Sequence, residues 1–299
     1  CFLLLKSKTI IFSNNFYNFF KSEEFDAKKL KANIYILIAV AAGLGLFLEL
    51  SIIRIHSSYF QLFAYFKNLS LLSCFLGLGI GYSFSKVKFY SLNWTFPIVA
   101  LQVSFMYLLK DTPVTLFFQN PISEIWNMGQ APAIGFLHIF LIYFFISIIF
   151  LLNAVAFVPL GHLVAKLMYN CDTLKAYSYD LIGAIFGIVI FTLLSFIWTG
   201  PMVWLLISFT FLIYFQHYLN LNIKFNCLSL ILLVLCLNTF NDSSKMDLHS
   251  PYQNVSVKFN NDQASPITVQ SNNLWLQTPI NLSNNFYQKI NSGWHEFYI

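Results

Sequence analysis

The chain has 299 residues, 58% of them hydrophobic and only 10% charged, with a formal net charge of +5 and a mean hydropathy of +0.66. A soluble domain carries about 25% charged residues, so this composition excludes a free-standing soluble globule and points to lipid as much of its solvent. No basic patch with interleaved aromatics points to nucleic acid. The five cysteines form no CxxC pair, which favours buried thiols over a metal or disulfide framework.

Residues 1–33 read as an N-terminal cytoplasmic or interfacial segment, with six lysines against Glu23, Glu24 and Asp26. Residues 1–20 are apolar but broken by Lys6, Lys8, Asn14 and Asn15, and they lack the pattern of a signal peptide. Spanning a bilayer by helix takes about 20 mostly apolar residues. Candidate spans lie at 34–54, 65–84, 92–109, 134–158, 178–198, 202–219 and 225–240. The predicted fold is therefore mostly α. It is a polytopic transmembrane helical bundle of about seven spans over 34–240, followed by a small antiparallel β segment over 241–299.

Two pairs of glycines, Gly77 with Gly81 and Gly183 with Gly187, sit four residues apart. That spacing lets helix backbones approach closely in lipid. Gly77-Leu78-Gly79-Ile80-Gly81 resembles a phosphate-binding loop in letters only, because no strand precedes it. Pro159-Leu160-Gly161 is expected to end the fourth span, with a short interfacial helix from His162 to Tyr169. Gly200-Pro201 predicts a tight hairpin between the fifth and sixth spans.

Charged residues inside spans cost on the order of 2.5–3.5 kcal/mol on insertion scales. Three intramembrane polar residues stand out: Glu49, Arg54 and Asp180. Glu49 and Arg54 are about 140° apart around a helix and need not pair. Glu49 reads either as interhelical glue or as a proton or substrate site. Asp180 reads as an acid in a first helical turn, suited to the positive end of the dipole. His138, His162 and His217 read as locally bonded or interfacial, and no H-E-x-x-H or similar set suggests a metal.

With seven spans, the N-terminal lysines and Lys86, Lys88, Lys166, Lys175 and Lys224 share one side. Arg54, Lys67 and Lys110 share the other. The positive-inside rule then puts the N-terminus in the cytoplasm and the tail outside, whereas a tail using a cytosolic cofactor belongs inside.

In the tail, Val255, Val257 and Phe259 alternate with Asn254, Ser256 and Lys258, the mark of a half-buried strand. Ile267–Gln270 and Leu274–Gln277 read as two more strands, with Ser271-Asn272-Asn273 as a hairpin turn. About fifty residues of this kind are marginal alone, so the membrane body or more chain should complete the sheet.

The run Ser250-Pro251-Tyr252-Gln253-Asn254-Val255-Ser256-Val257 resembles the first strand of spermidine synthase-type aminopropyltransferases, and Asn272-Asn273-Leu274-Trp275-Leu276-Gln277 resembles their second hairpin. The body segments Glu49–Arg54, Leu76–Gly81, Pro159–His162 and Tyr179–Ala184 resemble the multispanning proteins that carry such a domain at the C-terminus. The resemblance covers about residues 34–299. It implies a Rossmann-like continuation and aminopropyl transfer from decarboxylated S-adenosylmethionine to a polyamine such as putrescine, without a metal. It also implies cofactor binding at Tyr252 and Gln253 and substrate binding at Gln277. The chain departs from the family pattern at Asn281-Leu282-Ser283 and Tyr287-Gln288. It starts on Cys1 and ends on an aromatic run, so a fragment is expected, with the glycine loop and catalytic acid beyond Ile299. No residue here is assigned a catalytic role, and the chain by itself is expected to be inactive. Expected partners are the lipid bilayer of a cell or bacterial inner membrane, with a polyamine ligand and a homodimer as options. The alternative reading is a membrane transporter or a non-catalytic membrane scaffold with a polyamine-binding-like tail.

Overall fold

The computed structural model describes residues 33–60, 62–63, 66–84, 92–110, 112, 135–169, 171–219, 223–239, 245–252, 254–259, 267–271 and 274–277. The expected interfacial segment at 1–20 and the Asn272-Asn273 turn lie outside them. Among the described residues the chain order is α1 (Ile34–Tyr59), α2 (Lys67–Ser83), a 3₁₀ turn (Leu92–Trp94), α3 (Thr95–Leu109), α4 (Gly135–Tyr169), α5 (Thr173–Phe196), α6 (Pro201–Tyr218) and α7 (Lys224–Thr239). Strands β1 (Lys245–His249), β2 (Asn254–Phe259), β3 (Ile267–Ser271) and β4 (Leu274–Gln277) follow.

Among the described residues, five helical segments are long and apolar enough to cross a membrane: Ile34–Tyr59, Leu92–Leu109, Gly135–Tyr169, Thr173–Phe196 and Pro201–Tyr218. Helices α2 and α7, with 17 and 16 residues, are shorter. Large apolar side chains cover the outer faces of α4 and α5, among them Phe136, Leu137, Phe140, Ile185, Phe186 and Val189. Such faces suit contact with lipid.

The two most extensive helix contacts are α2 with α4 and α1 with α5. Both are glycine seams. A Cβ on Gly77 would run into the Ala154 carbonyl, one on Gly81 into the Val158 carbonyl, and one on Gly161 into the Leu78 carbonyl. On the other seam, a Cβ on Gly183 would meet the Ala39 carbonyl and one on Gly187 the Gly43 carbonyl. In each seam the contacts advance in step along both helices, so both pairs run parallel. The four-residue glycine spacing does what it predicts, bringing backbone onto backbone.

Four readings are corrected. Helix α4 does not end at Pro159 but runs on to Tyr169, with Pro159 inside it. Residues on both sides of the proline, from Ala154 to Ala165, are largely buried. That packing against α2 outweighs the one backbone bond a proline forfeits. His162 is therefore buried in the bundle, 3% exposed, on the continuous α4 and not on a separate short helix from His162 to Tyr169. Asp180 lies two turns inside α5, whose first turn holds no acid, so the dipole argument does not apply to it. The Gly200-Pro201 turn is present, with Gly200 as N-cap and Pro201 opening α6, but beyond it α5 and α6 make almost no close backbone contact, so the tight hairpin expected there does not form.

The sheet is antiparallel in the order β1-β2-β3-β4. Strand β1 was not expected, although Met246 and Leu248 alternate with Lys245, Asp247 and His249. Its register pairs Asp247 with Ser256 and His249 with Asn254, placing the polar residues of both strands on one face. That face is the covered one: Asn254 is 4% exposed and Ser256 fully buried. The apolar face, with Met246, Leu248, Val255 and Val257, is turned the other way, and Met246 is exposed.

The seams make a direct prediction. Gly183→Ala or Gly81→Ala inserts a methyl into a facing carbonyl and should cost at least the ~1–3 kcal/mol typical of overpacking. Nothing lies within 4 Å of a Cβ built on Gly45 or Gly79, so alanine there should be neutral or mildly stabilising. Thermal unfolding of purified variants, followed by loss of the monodisperse size-exclusion peak, separates the two classes.

Candidate functional site

Two constellations of polar side chains occupy different faces of α1. The first joins bundle to sheet. Arg54 donates from Nη1 to the Pro251 carbonyl and from Nη2 to the Ser250 carbonyl. Its guanidinium carbon lies 5.8 Å from the centre of the buried Trp204 ring. The other side of this group is His249, its ring 6.4 Å from Trp204 and its Nδ1 2.8 Å from Asn254 Oδ1. Trp204 is held in turn by its Nε1–H donating to Thr199 Oγ1 at 2.8 Å. A second tether runs from the end of α3, where Lys110 Nζ lies 3.7 Å from Asp247 Oδ2 and 4.1 Å from the Tyr107 ring centre. Arg54, Lys110 and the α5–α6 turn thus form one end of the bundle, and the sheet sits on it.

Beside the clamp lies a pocket of about 160 Å³, lined by Arg54, Ser57, Ser58, Lys67 and Tyr252 over Leu50. Tyr252, expected at a cofactor, is 85% exposed at its rim. Gln253 lies outside the described residues, and Gln277 is described only as the last residue of β4.

The second constellation is inside the bundle, where α1, α2, α3 and α4 meet. His56 Nδ1 is 2.9 Å from Ser70 Oγ, and His56 Nε2 is 3.1 Å from Gln102 Nε2. Gln102 also donates to the Ile149 carbonyl at 3.3 Å. Asn153 Nδ2 lies 3.2 Å from the Ser70 carbonyl, 2.6 Å from Ser73 Oγ and 3.1 Å from Cys74 Sγ. Glu49, seven residues before His56 and so on the same stripe of α1, is an electrostatic neighbour of Cys74. Glu49, His56 and Gln102 are each 1% exposed, and Ser73, Cys74 and Asn153 fully buried.

Of the three intramembrane residues expected from sequence, Glu49 belongs to this interior file and Arg54 to the clamp. Asp180 belongs to neither. Gly183 packs on Ala39, so Asp180 sits roughly 20 Å along the axis from Glu49 at 1.5 Å per residue. Sequence reasoning missed His56, Ser70, Ser73, Gln102 and Asn153. The available signal was Gln102 and Asn153, each a lone amide in an apolar span.

The clamp can be tested by removal. Charge-assisted hydrogen bonds contribute about 1.5–3 kcal/mol each, so Arg54→Ala should loosen the sheet and speed limited proteolysis around Ser250–Tyr252, while thermal unfolding of the bundle moves little. A second check uses pH. Burial holds the His249 imidazole below the ordinary histidine range; the Asn254 bond and Asp247 pull it up, and Arg54 and Lys110 push it down. The docked ring stays neutral where a freed one charges. Docking is therefore full above about pH 6.5 and is lost as pH falls from there toward the depressed docked value. The same proteolysis should accelerate over that window, and His249→Gln should flatten the profile.

No protein-family model, curated protein or solved structure matches the chain.

Proposed function

We propose that this chain is the multispanning body and first sheet of a membrane-tethered, spermidine synthase-like protein. In this reading the bundle holds the soluble module at one end and sets its distance from the bilayer. The observation that carries it is the Arg54 clamp. Two of the segments that carry the resemblance, Glu49–Arg54 and Ser250–Val257, lie far apart in sequence. Arg54 ends the first, and its hydrogen bonds fall on the opening residues of the second. The outward apolar face of the sheet supports the same reading, since a Rossmann-like continuation would have that face to pack on.

In this proposal all seven helices cross the membrane. The short α2 and α7 run at about 25 Å each, within reach of a bilayer core of about 30 Å. Two of the three cations at the sheet end, Arg54 and Lys110, are engaged by the sheet. Lys166, Lys175 and Lys224 lie at the far end, which the positive-inside rule places in the cytoplasm. The sheet then faces the opposite compartment, and aminopropyl transfer there would need its donor on that side and not in the cytosol. A compartment-specific reporter fused after Gln277 should read that side, and a cytoplasmic readout would overturn the count of seven.

The whole protein would transfer an aminopropyl group from decarboxylated S-adenosylmethionine to a polyamine. Tyr252 and Gln253 would lie toward the donor and Gln277 toward the acceptor. Calorimetric titration of the full-length protein with the nucleoside thioether is the test. Gln253→Ala should weaken binding by about 1–3 kcal/mol, the cost of leaving a buried polar group unpaired. Absence of any binding would favour a non-catalytic scaffold.

A further inference from the structure

Of the three cations at the sheet end of the bundle, Arg54 and Lys110 are held by the sheet. Lys67, the first residue of α2, is exposed and makes no hydrogen bond or ion pair among the described residues. With Arg54 it lines the pocket of about 160 Å³ beside the clamp, and among the described residues no acid lines that pocket. At roughly 10–15 Å³ per water the space is on the order of ten waters, enough for a phosphate and the alcohol esterified to it. The lining is graded along α1. Leu50 and Ile53 come first, Arg54 next, and Ser57 and Ser58 last, all on one stripe of the helix over a rise of about 12 Å. Phe191, whose ring meets that of Phe47 a turn deeper, joins the apolar end. The pocket is therefore apolar toward the middle of the bundle, cationic above that, and rich in hydroxyls toward the sheet.

We propose that this pocket holds the phosphate of an anionic membrane lipid whose headgroup alcohol carries free hydroxyls, as in phosphatidylglycerol. The phosphate lies at the level of Arg54 and Lys67. A guanidinium has five donors, and two serve the Pro251 and Ser250 carbonyls, so three remain beside the three on Lys67. Ser57 and Ser58 donate to the Arg54 carbonyl at 3.0 and 2.7 Å. Their protons are thereby committed, and toward the pocket they offer lone pairs. The group above the phosphate therefore has to donate, which an alcohol does and a second phosphate does not. An ammonium donates too, but beside Lys67 and Arg54 it meets like charge. The glycerol backbone and first acyl carbons lie on Leu50, Ile53 and Phe191, apolar surface that a free anion would leave in water. The same two cations disfavour a polyamine or a sulfonium donor, so the site lies outside the transfer reaction proposed above. It needs the helices in a bilayer and nothing of the tail's activity.

The test is native mass spectrometry of the full chain released from phosphatidylcholine nanodiscs. These hold equal amounts of phosphatidylglycerol, phosphatidylmethanol and phosphatidylethanolamine with matched acyl chains. Phosphatidylmethanol has the charge without a hydroxyl, and phosphatidylethanolamine has donors on an ammonium. The phosphatidylglycerol adduct should exceed that of phosphatidylmethanol about threefold or more and that of phosphatidylethanolamine about tenfold or more. Lys67→Gln should lower both anionic adducts about tenfold, and Lys67→Arg should restore them. Ser57→Ala combined with Ser58→Ala should level the two anionic lipids and keep both above phosphatidylethanolamine. Millimolar glycerol phosphate should displace none of them. Lys67 is exposed, so its variants leave the fold in place. If the double serine variant does not fold, the lipid ratio on the unaltered chain decides the headgroup. Equal retention of the two anionic lipids, equal retention of all three, an anionic preference that Lys67→Gln leaves unchanged, or displacement by glycerol phosphate would each overturn the site.

Discussion

Backbone contact between apolar helices is the constraint on which the rest depends. Where helices present mostly apolar faces to apolar surroundings, burial alone gives them little reason to prefer one partner, and close approach has to supply it. Two glycine seams do so. The seam of Gly77, Gly81 and Gly161 sets the register of α2 on α4, and that register puts Ser70, Ser73 and Cys74 opposite Asn153. The seam of Ala39, Gly43, Gly183 and Gly187 sets α1 on α5. It thereby helps carry Arg54 to the end of the bundle where Trp204 and the α5–α6 turn wait. A shift of one turn in either seam would separate the polar groups that now meet.

Helix α1 works on two faces. Glu49 and His56, seven residues apart, face the interior file, while Arg54 and Ser57 turn toward the sheet. The sheet meets the bundle with its polar face, and this reverses the usual pairing of apolar face to core. The reason is electrostatic. Arg54 and Lys110 stand at that end with charges that need acceptors, and the Ser250 and Pro251 carbonyls and Asp247 provide them. An apolar strand face could not satisfy two cations. The apolar face is left for whatever packs on the sheet from outside.

Much of this was legible residue by residue. The long apolar runs announced the helices, the glycine spacing announced the seams, and Gly200-Pro201 announced the break between α5 and α6, though not that the two helices stay apart beyond it. Alternation in the tail announced β2. Strand β1 escaped because its two apolar residues are too few to make a period against Lys245, Asp247 and His249. Pro159 misled because its local cost is real and only the packing of residues on both sides of it against α2 offsets that cost. Asp180 misled because α5 begins at Thr173, after the N-cap Asp172, ahead of the apolar run that hydropathy marks.

Composition and periodicity by themselves determined that this is a bundle of apolar helices followed by a small antiparallel sheet. They also determined that Glu49 and Arg54 are costly and so need partners. These are properties of single segments, written in the local order of side chains. Tertiary structure alone decided which partners they have. Arg54 reaches carbonyls 196 and 197 residues away, and His56 meets Gln102 across 46. Contacts of that kind depend on how helices pair and at what height. That choice is made by the fit of whole surfaces, and no single stretch of the chain records it.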